Sequence, residues 1–182
     1  MFQSFRRKWS QLQTRYCQNT DGSMAIEFAA VVGPFLMLLM GTMIVGLYFF
    51  VTFSLENAVE QASRQIRTGQ AQLAGMTKDQ FKASVCSHAP GFIDCTTDLR
   101  VNVIQVSGFN SAIPTSCLDG GGNLIGNPAN DPVPGSAGQV VLVMVCYEWK
   151  LAGSLPFLDV GGMSNGSALI EAATAFRTEP YS

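Results

Sequence analysis

The residues able to do chemistry in this chain are few, and most of them stand alone. Its one histidine, His88, has no evident cysteine or serine nucleophile as a partner, and no paired acidic motif is present. Acid–base and nucleophilic mechanisms need such groups within hydrogen-bond reach, so the residues do not point to an enzyme. The stretch DGGGNLIGN at 119–127 has the glycines of a phosphate-binding loop but lacks its closing Gly-Lys-Ser/Thr, and no strand–turn–helix pattern surrounds it. Asp119, Asn123 and Asp131 offer oxygen ligands to calcium, though not at the spacing of an EF-hand. The five cysteines form no CxxC pair, which disfavours zinc; no metal or cofactor is implied. Two kinds of chemistry remain. One is thiol oxidation at Cys86, Cys95, Cys117 and Cys146. The other is ion pairing at Glu27, a carboxylate in DGSMAIEF (21–28) at the threshold of a long uncharged run.

A membrane is what that run asks for. From Phe28 to Phe53 there are 26 consecutive residues without Asp, Glu, Lys, Arg or His. About 20 apolar residues cross a bilayer, so the run is long enough even when tilted. Fourteen of the 26 are Leu, Ile, Val or Phe. Together they supply about −4 to −8 kcal/mol of insertion free energy. Pro34, Gly41 and Gly46 would each weaken a helix in water but are tolerated in a membrane helix. Charge sets the direction. Residues 1–22 carry Arg6, Arg7, Lys8 and Arg15 against Asp21, whereas the remainder holds seven basic and twelve acidic residues. Basic flanks stay cytoplasmic, so we expect a basic cytoplasmic leader (1–22), a transmembrane helix (23–53) and an exported domain (54–182). The acidic balance of the exported part disfavours nucleic acid as a partner.

The cysteines agree with this direction. Cys17 lies in the leader, and the other four fall in the exported part, an even number in a compartment that permits oxidation. Four cysteines allow three pairings. Their placement favours Cys86–Cys95 as a local clip and Cys117–Cys146 as a staple from a long loop to a strand.

The apolar run passes without a break into SLENAVEQASRQIRTGQAQ, where Leu55, Val59, Ala62 and Ile66 recur at helical spacing. One helix is expected from near Ser23 to about Gly69, apolar all round in its first half, amphipathic in its second, and kinked at Pro34. TKDQ at 77–80 reads as a capping box, with Thr77 at the N-cap and Gln80 at N3. The short helix it opens should run to about His88, with Phe81 and Val85 on its apolar face and His88 capping its end. Leu99, Val101 and Val103 alternate in LRVNVIQVSG, and QVVLVMVCYEWKL at 139–151 is the strongest strand pattern in the chain. SALIEAATAFRTEP at 167–180 is a weaker strand, with helix as the alternative because of its alanines. Residues 108–138 hold seven glycines and four prolines and read as loop. The expected fold class is α+β: a long N-terminal helix, transmembrane then amphipathic, packed on a small antiparallel sheet. Disulfides would support a core that is marginal alone.

A secretory signal has only 7–15 apolar residues, and the unusual features here precede the run rather than follow it. Basic leader, Gly22, Glu27 and Phe28 together resemble the processing region of type IV pilin-like proteins. More narrowly, GSMAIEFAAVVGPFLMLLMG is similar to the start of the TadE/TadG-like minor pseudopilins of tight-adherence (Flp) pili. The closing AFRTEPY and the helix–Cys–Cys–strand order at 81–106 are similar to that family as well. The resemblance implies a pilin-like fold and cleavage between Gly22 and Ser23 by a membrane-embedded aspartic prepilin peptidase. Cleavage would turn the Ser23 amide nitrogen into an α-amine, largely protonated near neutral pH. In a helix Glu27 stands at i+4 from Ser23, beside that new cation or within reach of a neighbouring subunit's. Unit charges 4 Å apart attract by about 4 kcal/mol at an effective dielectric near 20, before desolvation is subtracted. A carboxylate costs roughly 2.5–3.5 kcal/mol at mid-membrane and less at the edge, so the two are comparable.

The partners this implies are other pilins and pseudopilins packed through the N-terminal helix, where Ala29, Ala30 and Gly33 allow close approach. The prepilin peptidase, an inner-membrane pilus assembly platform and membrane lipid complete the set. The implied location is the bacterial inner membrane, single-pass, with the N-terminus cytoplasmic and the C-terminal domain periplasmic, and the pilus itself after assembly. Two rival readings stand beside this one. An uncleaved, permanently anchored periplasmic binding module is the first. A secreted protein cut near Ser54 is the second, for which Thr52 and Ser54 make only a weak cleavage site.

Overall fold

The computed structural model describes residues 22–154 and 161–181. The leader, with Arg6, Arg7, Lys8, Arg15, Cys17 and Asp21, lies outside the described residues. The elements run α1 (Ser23–Arg67), α2 (Gln70–Leu73), α3 (Lys78–His88), β1 (Leu99–Val106), β2 (Val140–Trp149) and β3 (Ala168–Arg177). The fold is α+β, with one antiparallel sheet in the order β1-β2-β3. The chain forms two compact units that meet in sequence at Gly46 and Leu47, so α1 contributes residues to both.

Among the described residues of the first unit, Ile44 is the one large side chain of α1 that is buried. Met24, Ile26, Phe28, Val31 and every large apolar residue from Phe35 to Met43 are exposed. The helix runs unbroken through Pro34, whose missing N–H leaves the Ala30 carbonyl without its ladder donor. The Thr42 hydroxyl donates to the Leu39 carbonyl at 2.8 Å, a bond inside the helix that satisfies this exposed polar group locally.

Leu47–Ser182 form the second unit, the head. Here α1 is one-sided. Val51, Leu55, Ala58, Val59, Ala62 and Ile66 are buried, a stripe at alternating three- and four-residue spacing. The stripe packs in one core with Phe81 and Val85 of α3, with Leu99, Val101 and Val103 of β1, and with Val141, Val143 and Val145 of β2. β3 adds Ala168, Ile170, Ala172 and Phe176. The register aligns these inward residues across the sheet, Val101 against Val145 and Val145 against Ala172. This settles the open choice for the last segment: 168–177 is a strand, and its small alanines alternate between the core and solvent.

β2 is buried on both faces, as its near-continuous apolar sequence requires of a central strand. The loop at 108–138 covers part of the second face. Its Cys117 packs on Met144 and Cys146, with Leu124 and Leu169 alongside, and Cys117 is bonded to Cys146 across 29 residues of chain. Within the loop, Phe109–Ser111 form a single 3-10 turn and Leu118 bridges to Leu124.

Two devices set the helix ends. At α3 the Thr77 hydroxyl accepts from the Gln80 N–H while the Gln80 side chain accepts from the Thr77 N–H, the reciprocal capping box that TKDQ announces. His88 Nδ1 donates to the Ser84 carbonyl at 2.8 Å in the last turn. Cys86 is bonded to Cys95, tying the end of α3 to the approach to β1. At the end of α1, Gly69 adopts φ 77°, the left-handed position glycine tolerates. A Cβ there would overlap the ring of Tyr181.

The C-terminal AFRTEPY closes the head. Thr178, buried, donates its hydroxyl to the Ser136 carbonyl at 2.6 Å and its N–H to the Gln139 carbonyl at 2.9 Å. The Glu179 N–H donates to the Arg67 carbonyl, the Tyr181 hydroxyl donates to the Gly135 carbonyl, and the Arg67 guanidinium lies 5.1 Å over the Phe176 ring. The tail therefore clasps the end of α1 to the end of the long loop.

Candidate functional site

The first candidate is the start of α1. Gly22 immediately precedes the helix, and a Cβ added there would meet nothing within 4 Å among the described residues. Packing therefore does not explain why this residue is glycine. Ser23 opens the helix, and Glu27 follows one turn later with its side chain exposed. Phe28 is exposed beside it. Gly33, Gly41 and Gly46 likewise face open space among the described residues, so their small size leaves shallow places on the helix surface. The helix from Met24 is long and apolar enough to cross a membrane, with a mean hydropathy of 2.2 over its most apolar stretch and none of that stretch buried.

A second candidate lies at the lower end of the head. A cavity of about 400 Å³ is lined by Leu47, Phe50 and Phe92 on its apolar side, and by Asp94, Asp98 and Lys150 on its polar side. Phe50 and Phe92 lie with ring centroids 5.6 Å apart, and Tyr48 and Trp149 at 6.1 Å. Lys150 Nζ donates to Asp98 Oδ1 at 2.5 Å, and that bond holds the ammonium pKa above its ordinary value. Asp94 accepts from the hydroxyl and the N–H of Thr96 and from Thr97, which lowers its carboxyl pKa to about 2. Burial pushes the Tyr147 hydroxyl pKa up. None of these groups was singled out from the sequence, although an aromatic cluster flanking an uncharged run is the signal of a membrane interface.

The glycine loop folds into a turn closed on Asp119. Asp119 Oδ1 accepts from the N–H groups of Gly121 and Asn123, which lowers its pKa and closes a tight turn. Asp131 lies instead 3.9 Å from Lys78. Cys117, Cys146 and Glu171 bring three potential metal ligands together, but the two sulfurs are bonded to each other.

The likeness to a known family lies in α1. Residues 22–64 match the family model described as TadE-like protein. This segment resembles that family. The match begins at Gly22 and takes in Glu27, the whole uncharged run and most of the buried stripe of the head. It leaves α3, the sheet and the long loop outside its span. No curated protein and no solved structure matches the chain.

Proposed function

We propose that this TadE-like chain is a minor pilin or pseudopilin of a tight-adherence pilus or a related secretion filament. One observation carries the reading: an apolar helix whose large side chains from Phe35 to Met43 are exposed is preceded by a glycine that packing does not require. The helix spans the bacterial inner membrane once, with the leader in the cytoplasm and the head in the periplasm. A prepilin peptidase cuts between Gly22 and Ser23 and removes the basic leader. The new Ser23 ammonium and the Glu27 carboxylate, one helical turn apart, then compensate each other or pair with a neighbouring subunit. Freed of its cytoplasmic charges, the helix joins other pilins on the assembly platform, with Ala29, Ala30 and Gly33 allowing close approach and Pro34 letting it bend. The role is structural, and no catalytic step is assigned to the chain.

N-terminal sequencing of the protein from its native cell tests the proposal. Mature chains should begin at Ser23, and Gly22→Leu should leave the leader in place. An intact leader on the wild-type protein, with the peptidase present, would favour the anchored periplasmic module instead. A mature start at Leu55 would mean a secreted head.

A further inference from the structure

We propose that the cavity at the lower end of the head binds one zwitterionic glycerophospholipid of the membrane that α1 crosses. The inference rests on the reading of α1 as a membrane helix, and on nothing about processing or pilus assembly. About 20 helical residues cover the hydrocarbon thickness of a bilayer. Counted from Phe28, they reach about Leu47, which places Tyr48 to Phe53 among the headgroups. Phe49, Phe50 and Phe53 are exposed there. The loop carrying Phe92 lies against Phe50, and Trp149 lies against Tyr48. Phe92 and Trp149 thus lie beside the stretch of α1 that this count puts at the interface, where Trp and Tyr are favoured. Phe92 and Leu151, each 51% exposed, are large apolar side chains that water does not explain and acyl chains do.

The polar side of the cavity selects the headgroup. Lys150 keeps exposed donors beyond the one it gives to Asp98, enough for a phosphodiester oxygen. Asp94 stays ionised and exposed at the same rim, an acceptor for a headgroup ammonium. Two carboxylates, Asp94 and Asp98, and one ammonium, Lys150, line the cavity, with Lys82 near Asp94 outside the lining, so a zwitterion finds both partners there. A cavity of about 400 Å³ is of the size that small-molecule sites have, and takes a headgroup with the first acyl carbons rather than a whole lipid.

The chain contains two tryptophans, Trp9 and Trp149, so Trp9→Phe leaves Trp149 as the sole reporter. Full-length protein of that background is reconstituted into vesicles containing phosphatidylethanolamine brominated close to the glycerol, or phosphatidylglycerol brominated alike at equal mole fraction. Rim ion pairs are individually weak, so Trp149 quenching should be about threefold stronger with the zwitterionic lipid. Asp94→Asn, which keeps the turn's acceptor oxygen, should remove most of that preference, and Leu151→Asp should reduce quenching by both lipids. Equal quenching by the two lipids in the unaltered rim would overturn the proposal. So would absence of quenching in protein that floats with the vesicles, which would leave the membrane helix standing. Protein that does not float with vesicles would remove the membrane reading and the proposal together.

Discussion

The two halves of α1 are made from similar residues and behave as opposites. Between Phe28 and Gly46 the helix carries no charge, and its large side chains from Phe35 to Met43 are exposed, with Ile44 alone of the large ones buried. Between Leu47 and Arg67 it is apolar on one stripe, and that stripe disappears into the head. Apolarity alone therefore does not say what a residue packs against. Its angular distribution does: a stripe is matched by a folded partner in the same chain, and a full circumference by a solvent of hydrocarbon or by helices from other chains.

If this division is right, substitutions in the two halves should fail in different assays. The largest effect is expected in the head. Phe81 is fully buried between α3 and the helix stripe, and Phe81→Ala should cost about 3–5 kcal/mol, seen as loss of near-UV circular dichroism with membrane retention intact. Leu38 makes the reverse case. It is 68% exposed, so Leu38→Arg should leave the head's spectrum unchanged while costing roughly 2.5–3.5 kcal/mol of insertion, read as release from membranes in carbonate extraction. If both variants lost both properties, the helix would be one cooperative element and the comparison would collapse.

A finer comparison lies within the head, between the two faces of β2. The inner face is held by α1 and α3, and the outer face by a glycine- and proline-rich loop with one disulfide. Cys117→Ser with Cys146→Ser should cost about 3 kcal/mol, and should speed hydrogen exchange in 112–127 more than in α3. Equal loss of protection in both would mean the loop is part of the main core. Thr77→Ala removes one half of the capping box and should cost about 1 kcal/mol, confined to the first turn of α3.

How much of this was legible follows the same line between local and distant contacts. The helix from Ser23, the buried Leu55, Val59, Ala62 and Ile66, the TKDQ cap and the β2 strand all announce themselves through periodicity or short-range chemistry. The last strand was ambiguous because its alanines favour helix, and only pairing with β2 decides for a strand. Other features had no local signal at all. The clasp joins Tyr181 to Gly135 and Thr178 to Ser136, and the aromatic foot joins Phe50 to Phe92 and Tyr48 to Trp149. Residues so far apart in sequence leave no spacing to read. At the start of α1 the position is reversed. Gly22, Glu27 and Phe28 were legible as a pattern, yet the fold gives Gly22 no packing role.

The smallest effect expected concerns Asp94 at the foot. Its carboxyl pKa is about 2 in the fold against an ordinary 3.8, mainly because the Thr96 hydroxyl and N–H bond to the charged form. A depressed acid pKa contributes stability that is fully present above 3.8 and is lost as pH falls through about 2. Wild-type protein should therefore lose thermal stability across that window. Asp94→Asn, which has no charge to lose, should show a shallower decline in the same interval. The group is exposed, so screening keeps the difference small, and added salt should leave it largely in place because the bonds are local. Carboxyl carbon shifts followed by NMR give the sharper measurement. A midpoint for Asp94 near 3.8 would mean that the turn at 94–97 does not hold the charge, and the rim of the cavity would lose its fixed anion.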